Sequence, residues 1–536
     1  MNNMLNGNLV EFQDFSFRYP QSEEDIIHNA SFHIRKGTIN LLYGLSGSGK
    51  STLCYAMTGL IPWSIRGFIK GDVIVIGKNT KDVRPNQFAG EIGYLMQNPD
   101  SQFATLNVYD ELIFAAENIQ VPHDEIEIRL KNIVKLLDLE SYLPRTVTQL
   151  SSGEKQRVVL GSILMMNPEL LILDEPLSFL DFPNRLKLLH YLRKMPSLFP
   201  TMGIILAEHR INDVIPFAHN FFEIINGEIH QYSTIPPEVC NQDPKRYSVI
   251  SNTSFSYRDL ISYYGFQENN HEFYPPLQSP LLEFNEVSFQ YTQDLGKFHE
   301  TQVNVLQNIS FQVFPGEIVT IVGPNGIGKT TLLYLIAGIL EPHQGEITYH
   351  KSTQKLSLQK WNPKVRNKIS SKNIKTLSYG DYAKSIGLIF QNPESQLLKN
   401  TIQKEIEFGP KNFKLYPLLD PKKLSELLRF IFPDTANPEN CKDRNPFTLS
   451  WGEKRRLNLA SLFSYSPSIY LFDEPFTGQD FHTRTALLQI IKTISAESGL
   501  VIISSHDDDV LPISDRIFLL DKLGLRIFGK REEDSP

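Results

Sequence analysis

The chain contains one glycine-rich pattern twice, as GLSGSGKST at Gly44–Thr52 and as GPNGIGKTT at Gly323–Thr331. Each copy follows a short apolar run (INLLYG and IVTIVG) and precedes a helical pattern. Glycines at this spacing let backbone N–H groups turn toward a phosphate and deliver it to a helix N-terminus, where the helix dipole favours negative charge. The sequence therefore predicts two strand–loop–helix units, each of which binds the phosphates of a nucleotide.

The residues of these two loops have separate chemical tasks. Lys50 and Lys329 supply a positive charge between the β- and γ-phosphates, while the hydroxyls of Ser51 and Thr330 suit Mg²⁺. The other loop residues offer backbone N–H groups. We assign to ATP binding Gly44, Ser46, Gly47, Ser48, Gly49, Lys50, Ser51 and Thr52 in the first copy, and Gly323, Asn325, Gly326, Ile327, Gly328, Lys329, Thr330 and Thr331 in the second.

Other segments recur in the same order in both halves, which makes the chain an internal repeat. The short apolar runs are typical of parallel strands buried on both faces, so the fold class is α/β. We predict a first domain at 8–232, a linker at 233–280 and a second domain at 281–531. The recurring segments are MQNPDSQF and FQNPESQL, LSSGEKQR and LSWGEKRR, and LLILDEP and IYLFDEP.

The second half is longer than the first between its lysine and its glutamine motif. The extra material coincides with Lys351–Lys384, which carries nine Lys or Arg residues and one acid, Asp381. We interpret this stretch as a solvated surface loop. A contact with anionic lipid or with a partner is the alternative.

Length and composition limit the possible functions. The 536 residues suffice for about two to four domains. The net charge of −7 gives no basic field, so we expect no nucleic-acid partner. Cys54, Cys240 and Cys441 lack metal-ligand spacing and fit a reducing compartment. No apolar run approaches the ~20 residues of a membrane span, and the first residues do not resemble a signal peptide.

Two acidic pairs end apolar strands. LLILDEP and IYLFDEP place Asp174 and Asp473 at the carboxyl ends of buried strands, the edge at which open α/β sheets bind ligands. An aspartate there suits Mg²⁺ held through water. Glu175 and Glu474, one residue further on, can orient or deprotonate an attacking water. The pattern predicts nucleotide hydrolysis as well as binding.

LSSGE and LSWGE resemble the signature motif of the ATP-binding-cassette family, usually LSGGQ, and the resemblance covers both halves. It implies a mainly parallel sheet core, an antiparallel β subdomain and a helical subdomain in each half. It also implies roles for single residues. Tyr19 and Tyr291 match the aromatic residue that stacks on adenine, Gln97 and Gln391 the glutamine that senses Mg²⁺ and the membrane partner, Asp181 and Asp480 the loop that signals across the dimer, and His209 and His506 the histidine that contacts the γ-phosphate.

The resemblance thus completes both predicted sites. The residues assigned to catalysis are Glu175, Glu474, His209 and His506. The further residues assigned to ATP binding are Tyr19, Gln97, Ser151, Gly153, Tyr291, Gln391, Ser450 and Gly452. The residues assigned to Mg²⁺, which they hold partly through water, are Ser51, Gln97, Asp174, Thr330, Gln391 and Asp473.

In the resembled family two such domains pair head to tail around two ATP molecules. The resemblance therefore implies an internal dimer, in which Lys50 shares its ATP with Ser450 and Lys329 shares its ATP with Ser151. Trp451 stands where the signature has a glycine, so we expect the Lys50 site to be the weaker one.

Within the family, QNPDSQ and QNPESQ resemble the glutamine loops of energy-coupling-factor ATPases, which drive importers of vitamins and metal ions. The implied partners are a transmembrane energy-coupling subunit and a substrate-capture membrane subunit, and the implied location is the cytoplasmic face of the cell membrane. A soluble tandem ATPase of translation or DNA repair is the alternative. A long charged helical linker or zinc-binding cysteine pairs would favour it, and the sequence has neither.

Overall fold

The computed structural model describes most of the chain. The described residues are 7–20, 22–45, 47–178, 180–234, 256–268, 279–294, 300–351, 354–357, 379–415, 419–433, 435–477, 479 and 481–530. They form two compact units. The first unit is Met1–Phe255 with Gly478–His482, and the second is Ser256–Thr477 with Thr483–Pro536.

The strands are numbered in chain order. Those of the first unit are β1 (Asn8–Arg18), β2 (Ile27–Arg35), β3 (Ile39–Gly44), β4 (Phe68–Val75), β5 (Lys78–Asn79), β6 (Ile92–Leu95), β7 (Leu170–Asp174), β8 (Gly203–Ala207), β9 (Asn220–Ile225) and β10 (Glu228–Tyr232). Those of the second unit are β11 (Phe266–Glu268), β12 (Leu282–Asp294), β13 (Glu300–Val313), β14 (Ile318–Val322), β15 (Gln344–Lys351), β16 (Gln354–Ser357), β17 (Ile386–Ile389), β18 (Ile469–Asp473), β19 (Leu500–Ser504), β20 (Arg516–Asp521) and β21 (Gly524–Lys530).

Helices connect the parallel strands and build the helical subdomains. The α-helices are Lys50–Met57, Leu60–Trp63, Val108–Asn118, His123–Leu136, Ser152–Met165, Phe182–Leu198, Ile211–Val214, Tyr257–Tyr263, Lys329–Ile336, Tyr379–Ser385, Ile402–Ile406, Phe408–Asn412, Pro421–Ile431, Trp451–Phe463 and Phe481–Ala496. Short 3₁₀ turns cover Pro85–Phe88, Pro99–Gln102, Val147–Gln149, Pro393–Gln396, Pro438–Cys441, Pro446–Thr448 and Asp508–Ile513.

Each unit has a mainly parallel sheet beside an antiparallel one. In the first unit the parallel sheet runs β10-β9-β3-β8-β7-β6 and the antiparallel sheet β2-β1-β4-β5. In the second unit the orders are β11-β21-β20-β14-β19-β18-β17 and β13-β12-β15-β16. β3, β7, β8, β14, β18 and β19 lie in the middle of the parallel sheets with mostly buried side chains, which explains their continuous apolar runs.

Apolar side chains join the two sheets of each unit into one core. In the first unit, Phe12 and Phe32 of the antiparallel sheet share a cluster with Leu42 of β3, Leu53 of the helix after the phosphate loop and Ile172 of β7. The second unit repeats this arrangement around Phe284 and Phe311, whose rings stack with centroids 4.4 Å apart. This core fixes the phosphate loop between the sheet and its helix.

The stretch 233–280, predicted as a linker, contains regular structure. Helix Tyr257–Tyr263 and strand β11 lie within it, and β11 pairs antiparallel with β21. Ser256–Glu268 is therefore part of the second unit, while 235–255 and 269–278 lie outside the described residues. In the part of the chain that the structure describes, no helix is long and apolar enough to cross a bilayer.

Candidate nucleotide sites

The two phosphate loops have the same backbone geometry. Gly44 and Gly323, at the strand ends, have φ of 157° and 155°, and a Cβ on either would lie within 2.7 Å of a backbone carbonyl oxygen, that of Ile224 or Leu520. Glycine is therefore required at both positions for close backbone approach. Helices begin at the residue after Gly49 and Gly328, and neither helix has a side-chain cap. Their first N–H groups are available to an anion.

Each loop lysine is buried and folds back on its own loop. Lys50 Nζ donates to the carbonyl oxygens of Gly44 (3.1 Å) and Leu45 (2.9 Å). Lys329 Nζ donates to those of Gly323 (2.8 Å) and Pro324 (3.2 Å). The ammonium groups thus lie over the loop, at the place where a bound phosphate would meet them.

The aspartates at the ends of β7 and β18 lie beside the loops. Thr330 Oγ1 donates to Asp473 at 2.9 Å, and Ser504 Oγ donates to the same carboxylate. Asp174 accepts from Tyr94 at 3.2 Å, whereas its buried Oδ1 has no hydrogen-bond partner among the described groups. Burial raises the pKa of both aspartates above its ordinary value. A hydroxyl beside a buried carboxylate, as for Thr330 and Asp473, is a ligand set that suits Mg²⁺. The unpartnered Oδ1 of Asp174 suits the same ion in the first unit.

Glu175 is the centre of a hydrogen-bonded cluster in the first unit. Its carboxylate lies 2.9 Å from His209 Nε2 and accepts from Gln97 Nε2 at 2.8 Å and from Ser178 Oγ at 3.0 Å. Burial alone would raise the pKa of this carboxyl, but His209 and Lys50 together hold it below its ordinary value. Glu175 is therefore held ionised, as an acceptor of a water proton must be.

Glu474 has the corresponding surroundings in the second unit. Its carboxylate lies 2.6 Å from His506 Nδ1 and 3.7 Å from Lys329 Nζ. Burial opposes ionisation here too, but His506 and Lys329 keep the pKa of Glu474 below its ordinary value. Glu175 and Glu474 have φ of 49° and 47°, a conformation uncommon outside glycine that clusters at functional sites.

The two glutamine loops differ in their connection to the acid. Gln97 bonds Glu175, whereas no such bond joins Gln391 to Glu474, although the structure describes both residues. In the second unit the buried Arg455 guanidinium donates to the carbonyl oxygens of Phe390 (2.7 Å) and Gln391 (3.0 Å). Burial lowers the pKa of Arg455 to about 10. Arg455 therefore ties the second glutamine loop to the signature helix.

The signature serines Ser151 and Ser450 each precede a helix as its N-cap. The backbone N–H of each donates to a glutamate three residues on, to Glu154 at 2.7 Å and to Glu453 at 2.8 Å. This capping box explains why glutamate can stand where the family motif usually has glutamine. Gly153 lies where a Cβ would come within 2.9 Å of Asn184, so bulk is excluded there, and Gly452 occupies the same helix position in the second unit.

The predicted adenine-stacking tyrosines also lie at the loops. The Tyr19 hydroxyl is 3.1 Å from Thr52 Oγ1, and the Tyr291 hydroxyl is 3.4 Å from Thr331 Oγ1. In each unit the structure thus brings together the tyrosine, phosphate loop, aspartate, glutamate and histidine. Asp181 is the N-cap of helix Phe182–Leu198. Ser46, Asp480, the Trp451 side chain and most of 351–384 lie outside the described residues.

Glu208 is a residue of this region that sequence reasoning missed. It is fully buried, and it accepts from the backbone N–H groups of Leu177 (2.7 Å) and His209 (3.0 Å). Burial, and then repulsion from Glu175, raises the pKa of Glu208 to about 7. The matching residue of the second half is Ser505, so the contrast between AEH and SSH was the available signal.

Gln102 and Gln396, the second glutamines of the two loops, hold the loop backbone in place. The Gln102 amide spans its loop, accepting from Met96 N (2.7 Å) and donating to the Tyr94 carbonyl oxygen (2.8 Å). Gln396 makes the equivalent pair with Phe390 and Leu388. These bonds hold the first glutamine of each loop at the sheet edge.

Comparison with known proteins shows the family to which this chain belongs. The family described as ABC transporter matches residues 27–178 and 306–477, more than half of the 536 residues. The chain belongs to the ABC transporter family. The ATP-binding domains of that family are ATPases, so this chain is a tandem ABC ATPase. The resemblance inferred from LSSGE and LSWGE and the predicted α/β fold class are thereby confirmed.

Similar proteins cover nearly the whole chain. A protein named as a candidate HMP/thiamine import ATP-binding protein, YkoD, from Bacillus subtilis (strain 168), is 28% identical over 97% of this chain and 91% of its own. One named as a candidate ABC transporter ATP-binding protein, from Sulfurisphaera tokodaii, is 32% identical over 93% of each chain. A solved archaeal ribosome recycling factor, aABCE1, bound to the ribosomal stalk protein aP1, covers 97% of this chain and 90% of its own at 19% identity and a TM-score of 0.57. At that identity the likeness shows the fold alone.

The raised pKa of Glu208 in this ABC ATPase makes its stability depend on pH. The pKa of Glu208 in the folded protein, about 7, exceeds the ordinary value of 4.5. The neutral carboxyl's contribution to folding stability is therefore fully present below about pH 4.5 and is lost as the pH rises through 7. Relative to wild type, Glu208→Gln should therefore become more stable between pH 5 and 8, by roughly 1–3 kcal/mol. Melting temperatures across this range measure the difference.

Ser505→Ala is the matched control at the equivalent position of the second unit. The difference in melting temperature between Ser505→Ala and wild type should stay constant with pH. If the difference for Glu208→Gln is equally independent of pH, Glu208 is not a buried carboxyl that titrates in this range.

Proposed function

We propose that this ABC ATPase is the motor subunit of a membrane importer of energy-coupling-factor type. The observation that carries the proposal is the similarity to an ATP-binding protein named for HMP/thiamine import over 97% of the present chain, including both predicted sites. The imported compound would be a vitamin-like small molecule or a metal ion. The protein would lie at the cytoplasmic face of the cell membrane with a transmembrane energy-coupling subunit and a substrate-capture subunit.

The proposed chemistry uses the same groups in both units. Glu175 and Glu474, held ionised beside a histidine, orient the attacking water and accept its proton. Lys50 and Lys329 leave their loop carbonyls for the β- and γ-phosphates, and the phosphate-loop N–H groups hold the oxygens that gain charge. His209 and His506 keep each glutamate in place and reach the γ-phosphate.

Mg²⁺ would be held by Ser51, Asp174 and Gln97 in the first unit, and by Thr330, Asp473 and Gln391 in the second, partly through water. When bound, the ion neutralises charge on the β- and γ-phosphates. The protein's own part is to keep each aspartate carboxylate at the end of its strand, one residue before the glutamate that faces the water.

A surface beside the second glutamine loop suits a membrane partner. A cavity of about 340 Å³ opens there between the loop and the helical subdomain, with an apolar lining and a few polar groups. Leu398 lies on it with 62% of its surface exposed. We define this surface, the second-unit groove, by Phe390, Gln396, Leu398, Phe408, Phe413 and Tyr465. A short helix with an apolar side chain, from a transmembrane subunit, fits a groove of this kind.

The acids of the glutamine loops do not serve as free anchors for such a helix. Asp100 lies 2.6 Å from Lys155 Nζ, and Glu394 lies 2.5 Å from Lys454 Nζ, each on its own signature helix. A free acid at this place would suit an arginine of the partner. Because both already have an internal cation, we place the main contact on the apolar wall instead.

The alternative, a soluble ATPase of translation or DNA repair, draws no support beyond fold from the ribosome recycling factor. Purification of the protein from detergent-solubilised membranes distinguishes an importer motor from a soluble ATPase. An importer motor should bring integral membrane subunits with it. Ribosomal subunits or DNA in their place would favour the alternative.

The double variant Glu175→Gln/Glu474→Gln tests the proposed chemistry. The amide keeps the shape of the side chain but cannot accept a proton, so steady-state ATP hydrolysis should fall by about 100-fold or more. Equilibrium ATP binding, measured in parallel, should remain. Turnover within a few-fold of wild type would remove both glutamates from the mechanism.

Leu398→Lys tests the docking surface. A lysine on the second-unit groove would put a charge against an apolar partner helix, so co-purification of membrane subunits should be lost while ATP hydrolysis by the isolated protein persists. Leu523→Lys is the control, because Leu523 is an 86% exposed leucine in the turn between β20 and β21 of the same unit. Full co-purification of membrane subunits with Leu398→Lys would place the docking surface elsewhere.

A further inference from the structure

The segment Ser256–Glu268 brings a side chain into the second nucleotide site that the repeat did not predict. Its strand β11 lengthens the parallel sheet of the second unit by pairing with β21, from Phe266 opposite Lys530 to Glu268 opposite Phe528. In the described part of the first unit, the corresponding sheet ends at β10. The segment is thus an addition to the second unit only, as far as the described residues show.

This segment is firmly anchored. Ser256 N-caps its helix by a capping box with Asp259, with bonds of 2.7 and 3.3 Å. Leu260, Ile261 and Phe266 are buried in the second unit. The helix therefore has one position on the sheet edge, and so do the side chains that it presents.

Tyr257 reaches the phosphate loop from this helix. Its hydroxyl donates to the Gly323 carbonyl oxygen at 3.0 Å, and only 7% of the residue is exposed. The same carbonyl accepts from Lys329 Nζ at 2.8 Å. Gly323 is itself buried and sits at the turn where the loop begins. One buried carbonyl thus has two donors, of which one is the lysine assigned to the phosphates.

The two donors differ in what happens when a nucleotide binds. Lys329 must turn from Gly323 to the β- and γ-phosphates, and a buried carbonyl without a donor is unfavourable. Tyr257 is fixed by its helix and stays. We infer that Tyr257 is a positioning residue for ATP at the second site: its hydroxyl satisfies the Gly323 carbonyl and so frees Lys329 for the phosphates. The inference rests on the ATP sites proposed above.

A second contact joins the same segment to the other side of the site. The Tyr264 hydroxyl donates to Asp508 Oδ2 at 3.2 Å, two residues beyond His506. Tyr257 and Tyr264 therefore connect one short segment to both the phosphate loop and the turn that follows the histidine.

Tyr257→Phe tests the inference, because it removes one hydroxyl and keeps the ring. Binding of a fluorescent N-methylanthraniloyl ATP is titrated in the full chain with Lys50→Ala, so that the second site is read alone. The loss of one hydrogen bond should raise the Kd about three- to tenfold. In a Lys329→Ala background, which leaves only the first site, Tyr257→Phe should leave the Kd unchanged.

Tyr263→Phe is the matched control, since Tyr263 lies on the same helix and packs its ring on Tyr264 with centroids 5.0 Å apart. It should leave the Kd of the second site unchanged. An unchanged Kd with Tyr257→Phe, or an equal rise with Tyr263→Phe, overturns the inference. If Lys329→Ala fails to abolish binding at the second site, the proposed ATP site itself is wrong, which is a separate result.

Discussion

Both halves of this protein depend on burying ionisable groups at the carboxyl edge of a parallel sheet. Desolvation opposes these charges, and a partner of opposite charge or a hydrogen-bonding group beside each one offsets that cost. Lys329 between loop carbonyls and Glu474 beside His506 show the arrangement at its tightest. The ends of the parallel strands, the positive φ of the two glutamates and the glycine turns of the phosphate loops together bring these groups into contact.

The repeat is close but not symmetric. Gln97 bonds the glutamate in the first unit, whereas Arg455 holds the glutamine loop in the second. Glu208 lies near Glu175 in the first unit, where the second has Ser505, and Tyr257 donates a hydrogen bond to the second phosphate loop. The two sites therefore have the same main residues and differ in the groups that support them.

The sequence predicted what short motifs determine. The glycine-rich loops before helices and the acids at strand ends each lie within a few residues, so local spacing indicated them. Contacts between segments far apart in the chain could not be predicted from these local motifs. The pairs Asp100–Lys155 and Glu394–Lys454 join residues 55 and 60 positions apart, and Tyr257 meets Gly323 from a stretch that reads as a linker. Burial, which sets the pKa of Glu208, is likewise a property of the folded unit.

We propose that one chain binds two ATP molecules, one at each phosphate loop. The most direct measurement is the amount of ATP bound per chain at saturation, by equilibrium dialysis of a variant that cannot hydrolyse it. We expect two ATP molecules per chain, and one after either Lys50→Ala or Lys329→Ala. A value of one before any lysine is replaced would contradict it.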